Sequence, residues 1–192
     1  MSILMFISII VGIFVLFALY GMYVQLIKKR NNAKEAMSGI DVQLRKRYDL
    51  IPNILATAAK FMEHEKGLMT EITQLRTQAA SLRSDVDTIG KKIELDNAIT
   101  SKLGQLFVSV ENYPQLKSDQ TMIQTMQTYS EVEEHIAAAR RFYNSAVKDL
   151  NNSVEIFPSS LVAAIIGIKS CPFFETDETA RQPISAEEYF NK

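Results

Sequence analysis

The chain has 192 residues, with 21 Lys and Arg against 22 Asp and Glu and a net charge of −1. That balance argues against nucleic-acid binding, which needs a basic excess. A single cysteine, Cys171, excludes an intrachain disulfide, and scarce Gly and Pro with no Trp leave a composition suited to helices.

Residues 1–27 contain no Asp, Glu, Lys or Arg, and Lys28-Lys29-Arg30 closes the run. A helix of about 20 apolar residues crosses the ~30 Å hydrocarbon layer, so the stretch is long enough to span with tilt. A cleaved signal peptide fits poorly: no charged residue precedes the apolar core, the core is too long, and no A-x-A pattern stands before Lys28. The flanking basic triplet places the N-terminus outside and the following chain in the cytoplasm. Tyr20 and Tyr23 suit the inner aromatic belt. Ser8 and Gly12 form one small-xxx-small pair, a weak signal for helix association.

After the anchor, Ala33, Met37, Ile40, Leu44 and Tyr48 recur at helical spacing. Arg45-Lys46-Arg47 lies too far beyond the headgroups to touch them and reads as a solvated face. At Asp49-Leu50-Ile51-Pro52 the proline marks a kink or a restart. The stripe continues in phase through Ile51, Leu55, Ala58 and Met62, and past Gly67 through Leu68, Ile72, Leu75, Ala79 and Leu82. A kinked but near-continuous first helix to Leu82 is therefore expected.

Ser84-Asp85-Val86-Asp87 reads as a turn and capping box. The second helix is expected to reach about Asn112, with Ile89, Ile93, Ile99, Leu103, Leu106 or Phe107, and Val110 on its apolar face. Asn112-Tyr113-Pro114 breaks it, and Ser118-Asp119 starts a third helix to about Asn152. That helix carries Met122, Met126, Tyr129, Ile136, Tyr143, Val147, Leu150 and Val154 at helical spacing. Short connections predict antiparallel neighbours. Ile156-Phe157-Pro158 ends the helix and Ser159-Ser160 caps the apolar run 161–168. The run reads as a short helix covering the end of the bundle; the alternative is an exposed patch meeting a partner or the bilayer surface. Phe174 is the last expected core residue, and 175–192 reads as a polar, disordered tail.

No motif for catalysis, metal or phosphate binding appears. Neither His64 nor His135 has the Glu three residues earlier that a di-iron bundle requires, and both read as solvated. Gly39 and Gly104 read as helix-packing positions, the methionines as core filler. No catalytic, cofactor or metal residue is assigned.

Several stretches together resemble the LemA family of bacterial membrane proteins: Ile40-Asp41-Val42-Gln43-Leu44, Arg47-Tyr48-Asp49-Leu50-Ile51-Pro52-Asn53, His64-Glu65, Glu111-Asn112-Tyr113-Pro114-Gln115-Leu116-Lys117, Arg140-Arg141-Phe142-Tyr143-Asn144, Asn151-Asn152 and Phe157-Pro158. The stretch 165–172 departs from the family pattern. The resemblance implies a single-pass protein of the bacterial cytoplasmic membrane, from a family with no established catalytic activity, so that no catalytic residues carry over. It also implies that residues 49–53 and 140–144 meet inside the bundle, and it makes Arg140 and Arg141 candidates for buried partners.

The resulting expectation is an all-α protein: a transmembrane anchor (1–28), a cytoplasmic antiparallel bundle of about four helices with a long first helix (29–174), and the tail. It is expected to be a membrane-tethered interaction or scaffold protein with the lipid bilayer, a second copy of itself and an unidentified protein as partners. The alternatives are a membrane-remodelling or pore-forming assembly and, more remotely, an enzyme or metal-binding bundle.

Overall fold

A computed structural model describes residues 2–82 and 88–174. The expected turn at Ser84-Asp85-Val86-Asp87 and the tail 175–192 lie outside them. Six α-helices and no strand occur among the described residues: α1 (Ser2–Ala58), α2 (Lys66–Ser81), α3 (Ile89–Val110), α4 (Pro114–Lys117), α5 (Gln120–Glu155) and α6 (Ser159–Ile166). α1 is one helix of 57 residues. Its first part is apolar and long enough to cross a membrane, and side chains from Ile3 to Phe17 lie open along it. Its second part buries the expected stripe: Ala33, Met37, Ile40, Leu44, Tyr48 and Ile51.

Side-chain bonds between helices fix their directions. Lys29 Nζ donates to Ser153 Oγ at 2.6 Å, and Arg47 Nη1 to Glu133 Oε1 at 3.0 Å, so α5 runs antiparallel to α1 almost residue for residue. Lys92 pairs with Asp41 and Arg47 with Asp96, so α3 runs parallel to α1. Arg76 of α2 bonds Tyr48 of α1, and Glu71 of α2 pairs with Lys102 of α3 at 2.9 Å, which sets α2 antiparallel to both. The four long helices thus form an up-down-up-down head. Below the head, α1 and α5 continue as a stalk toward the apolar end, where α6 packs against both of them.

Two differences from the sequence reading stand out. α1 stops at Ala58, not Leu82. Residues 59–65 reverse the chain through a 3-10 turn (Glu63–Glu65) and α2 starts anew. The stripe stays in phase across this break because Phe61 and Met62 tuck into the core as a helix would place them. Gly39 and Gly104 are the second difference. Both are exposed, with nothing within 4 Å of where a Cβ would sit, so they pack against nothing.

The remaining elements follow local chemistry. Pro114 opens α4, where its missing donor costs nothing. Asp119 caps α5, accepting from the Met122 amide at 3.0 Å, as its place before the third stripe predicts. α6 forms from the run 161–168, but Ser159 Oγ bonds back to the Ile156 carbonyl instead of capping forward. Gly167, at φ 70, ends it in a left-handed turn, and the Ile168 amide returns to the Ala163 carbonyl at 3.0 Å. The chain then climbs the stalk. Asn151 brackets Cys171 with two bonds at 2.9 Å, and Asn144 holds both the amide and the carbonyl of Phe174. Tyr143 donates to the Pro172 carbonyl at 3.0 Å. Phe174 is buried, as expected.

Candidate functional site

Four charged side chains meet inside the head. Arg47 is completely buried. Its position follows from α1's stripe: it stands three residues after Leu44 and four before Ile51, both fully buried. Asp96 likewise falls between Ile93 and Ile99 on the inner face of α3 and is completely buried. Arg47 Nη2 donates to the Asp96 carboxylate and, at 3.2 Å, to its main-chain carbonyl. Arg47 Nη1 donates to Thr100 Oγ1 at 2.8 Å as well as to Glu133. Arg140 Nη2 reaches the second Asp96 oxygen at 2.7 Å, with its guanidinium 4.6 Å from the Phe174 ring centre. Two arginines thus balance two carboxylates, which is the condition for burying charge at tolerable cost.

Tyrosines complete the shell. Tyr48 donates to Asp96 Oδ1 at 3.4 Å, and Tyr129 stands edge-on to Phe107 with ring centres 5.2 Å apart. Burial pushes the Tyr48 hydroxyl up to about 12, against the opposing pull of the Arg47 charge. Burial also raises Tyr129 and Tyr143 and holds Arg140 below the usual guanidinium range, with the Arg47 charge acting in the same direction on Arg140. The Cys171 thiol is raised by burial, so it stays protonated and weakly nucleophilic. Asp96 is engaged by two guanidiniums and a phenol, an arrangement that clamps three helices together.

This cluster corrects two expectations. Arg47 belongs to the interior, whereas Arg45 and Lys46 keep the solvated face expected of the whole triplet. Residues 49–53 do not meet 140–144: with Arg47 level with Glu133 on an antiparallel helix, they lie level with about 127–131 of α5, and the contact with Arg140 comes through Asp96 of α3. Of the Arg140-Arg141 pair, Arg140 is inward and Arg141 is solvated. Asp96, Glu133 and the Lys92–Asp41 pair were not singled out by sequence; the signal for Asp96 was an acid at a stripe position. His64 and His135 are both exposed, as expected, and lie on different elements.

A second feature lies at the tip of the head. Lys60, Phe61, Glu63 and His64 from the turn after α1 face Asn112, Tyr113, Pro114 and Gln115 from the turn after α3 across an open cleft of about 600 Å³. Two of the stretches singled out in sequence, at 64–65 and 111–117, meet here although they are far apart in the chain.

An apolar helix that runs without interruption into a charge-clamped four-helix head defines a class of helical bundle carried on its own candidate membrane span. The LemA family model matches residues 36–187, most of the chain, and the protein belongs to the LemA family. It is similar to Protein LemA of Metamycoplasma hominis, at 26% identity over 188 residues that cover 98% of this chain and 84% of that protein. It is also similar to Magnetosome proteins MamQ 2 and MamQ 1 of Paramagnetospirillum magneticum, each at 30% identity over 97 residues. Those matches take in 50% of this chain and 36% of each MamQ protein, so the chain spans little more than a third of the MamQ length.

Proposed function

We propose that this LemA-family chain is a non-catalytic scaffold of the bacterial cytoplasmic membrane, with its N-terminus outside and its head in the cytoplasm. The head presents the tip cleft to a protein partner. The carrying observation is the continuity of α1, which belongs both to the apolar span and to the charge-clamped core. From Ile27 to Ala58 the helix rises about 47 Å, so the cleft is held at a fixed distance along α1 from the end of the span. The basic triplet 28–30 supports the orientation. The mutual engagement of the buried charges supports a holding role, since none is left poised for proton transfer.

Self-association within the membrane is part of this proposal. Gly12 opens onto empty space one turn from Ser8, and confinement to two dimensions strengthens weak contacts. Cross-linking in native membranes at native density tests it: a ladder of multiples supports it, and a monomer alone removes it.

The test of the scaffold reading is site-specific photo-crosslinking in native membranes. A photoreactive side chain at the exposed Gln115 is expected to give a discrete adduct that is lost with Tyr113→Ala, while one at Val42 gives none. Equal labelling at both positions, or no adduct at Gln115, overturns the cleft as the presenting surface.

A further inference from the structure

We propose that α6, with Ile156 and Phe157 ahead of it, is an interfacial foot that lies in the same bilayer leaflet from which α1 emerges. It presents Phe157, Leu161 and Ile165 to lipid. The inference rests on the reading of α1 as a membrane span and adds a second contact between the chain and that membrane.

Register gives the height. Lys29 of α1 is level with Ser153 of α5, and the two helices are antiparallel. Glu155, the last residue of α5, is therefore about 3 Å further toward the apolar end, at 1.5 Å per residue. Ile156 and Phe157 continue past it to the level of Leu26, inside the uncharged run. Packing gives the same answer independently. Val162, Ala163 and Ile168 bury in one cluster with Leu26, Ala33 and Leu150, and Met22 and Ile27 stand at its edge on the apolar side.

Composition then identifies what covers the other face. No charged residue occurs between Glu155 and Lys169. A helix that is apolar all round belongs in a fully apolar setting. Yet only the side of α6 bearing Val162 and Ala163 is covered by protein. On the opposite side Leu161 is 59% exposed and Ile165, one turn on, 84%; Phe157 is 74% exposed and Ile156 58%. Water at that face would wet four large apolar side chains. Because the patch sits level with the end of the span and beside it, the bilayer that holds α1 reaches it without any further partner. The exposed Lys28 on α1 and Lys169 just after α6 flank the patch at headgroup height, as basic residues do beside an interfacial helix.

The chain has no Trp, so a single substitution is a unique reporter. Full-length Phe157→Trp and Ile165→Trp proteins are reconstituted into phosphatidylcholine vesicles, with and without acyl chains brominated near the headgroup end. Tyr23→Trp is the reference within the span, and Phe142→Trp, exposed on α5 in the stalk, is the control above it. Both foot reporters are expected to emit in the blue and to lose about half or more of their emission to the brominated lipid, comparably to Tyr23→Trp, while Phe142→Trp is unaffected. Blue emission without quenching means that a second copy or another protein covers the face, and overturns the proposal, as does red, water-like emission. If Tyr23→Trp itself escapes quenching, the span reading fails and the foot fails with it. If only the foot reporters escape, the span stands and the foot alone is wrong. All of the substituted side chains are exposed, so circular dichroism should match the parent chain in every case.

Discussion

Asp96 is the residue on which the head depends most. It accepts from two guanidiniums and a phenol, with no exposure to water. Removing one member of a buried ion-paired set leaves the others uncompensated, at a cost of about 3–5 kcal/mol. Asp96→Asn keeps the shape and removes the charge, and denaturant unfolding of the protein in detergent should show a loss of that size. A loss below about 1 kcal/mol, the scale of an exposed pair, would mean that water reaches the cluster. The neighbouring Tyr48 makes a pH statement. Its hydroxyl is raised to about 12 in the folded chain, chiefly by burial, from an ordinary value of 10.0. The folded state therefore holds this proton more tightly than the unfolded one. Its contribution is complete below pH 10 and is lost as pH rises toward 12, at about 1.4 kcal/mol per pH unit. Unfolding midpoints measured across that window should fall steeply, and Tyr48→Phe should flatten part of the fall. None of this cluster could be read from residue type alone. Arg47 sits beside two solvated basic residues, and its chemistry matches theirs. What separates it is angular position between Leu44 and Ile51, and there a charge is informative because the stripe has no room for one.

Among the elements, α1 shows how a proline is absorbed. Pro52 lies inside the helix and has no N–H to give the carbonyl of Tyr48 four residues earlier. Arg76 Nε of α2 donates to that carbonyl at 2.6 Å. The proline has turned an internal helix bond into a bond between helices. Arg76→Met should cost about 1.5–3 kcal/mol, the range for hydrogen bonds from charged donors. In a Pro52→Ala background the alanine supplies its own N–H, and the same Arg76→Met change should cost markedly less. A double-mutant cycle by denaturant unfolding measures the coupling, and additive losses would show that Arg76 acts elsewhere. The continuation of α1 through Pro52 was legible because the stripe holds phase across it. The stop at Ala58 was not. Phase alone cannot distinguish a helix that continues from one that reverses with its apolar residues still inward, and Phe61 and Met62 keep the stripe alive through the turn. The three polar residues of the 3-10 turn, followed by Gly67, carried the weak local signal. α3 and α5 were legible to within a few residues because Pro114 and Asp119 punctuate the chain with side-chain chemistry that needs no tertiary partner.

For the molecule as a whole, orientation is the first thing to establish. With the N-terminus outside, protease added to intact spheroplasts should leave the chain beyond Lys28 uncut, and lysis should expose it. Cleavage within the head of intact spheroplasts would invert the topology and move the tip cleft to the outer side. The general plan, a span feeding a helical head, was legible because apolar length and helical periodicity are properties of the sequence itself. The narrowing from a four-helix head to a stalk of α1 and α5 with α6 at its foot was not, because it depends on register between distant helices. Arg47 with Glu133 and Lys29 with Ser153 set that register, and these pairs exist only once the chain has folded.

The unbroken course of α1 also makes it a lever. Its uncharged run from Ser2 to Ile27 measures about 39 Å along the helix axis, longer than the ~30 Å hydrocarbon layer. A helix longer than its bilayer leans, and a thinner bilayer makes it lean further. No hinge separates the leaning part from the head, so every ten degrees of lean swings the tip sideways by about 8 Å over the 47 Å arm. On the proposed membrane placement, local membrane thickness is thereby converted into the lateral position of the cleft lined by His64 and Tyr113.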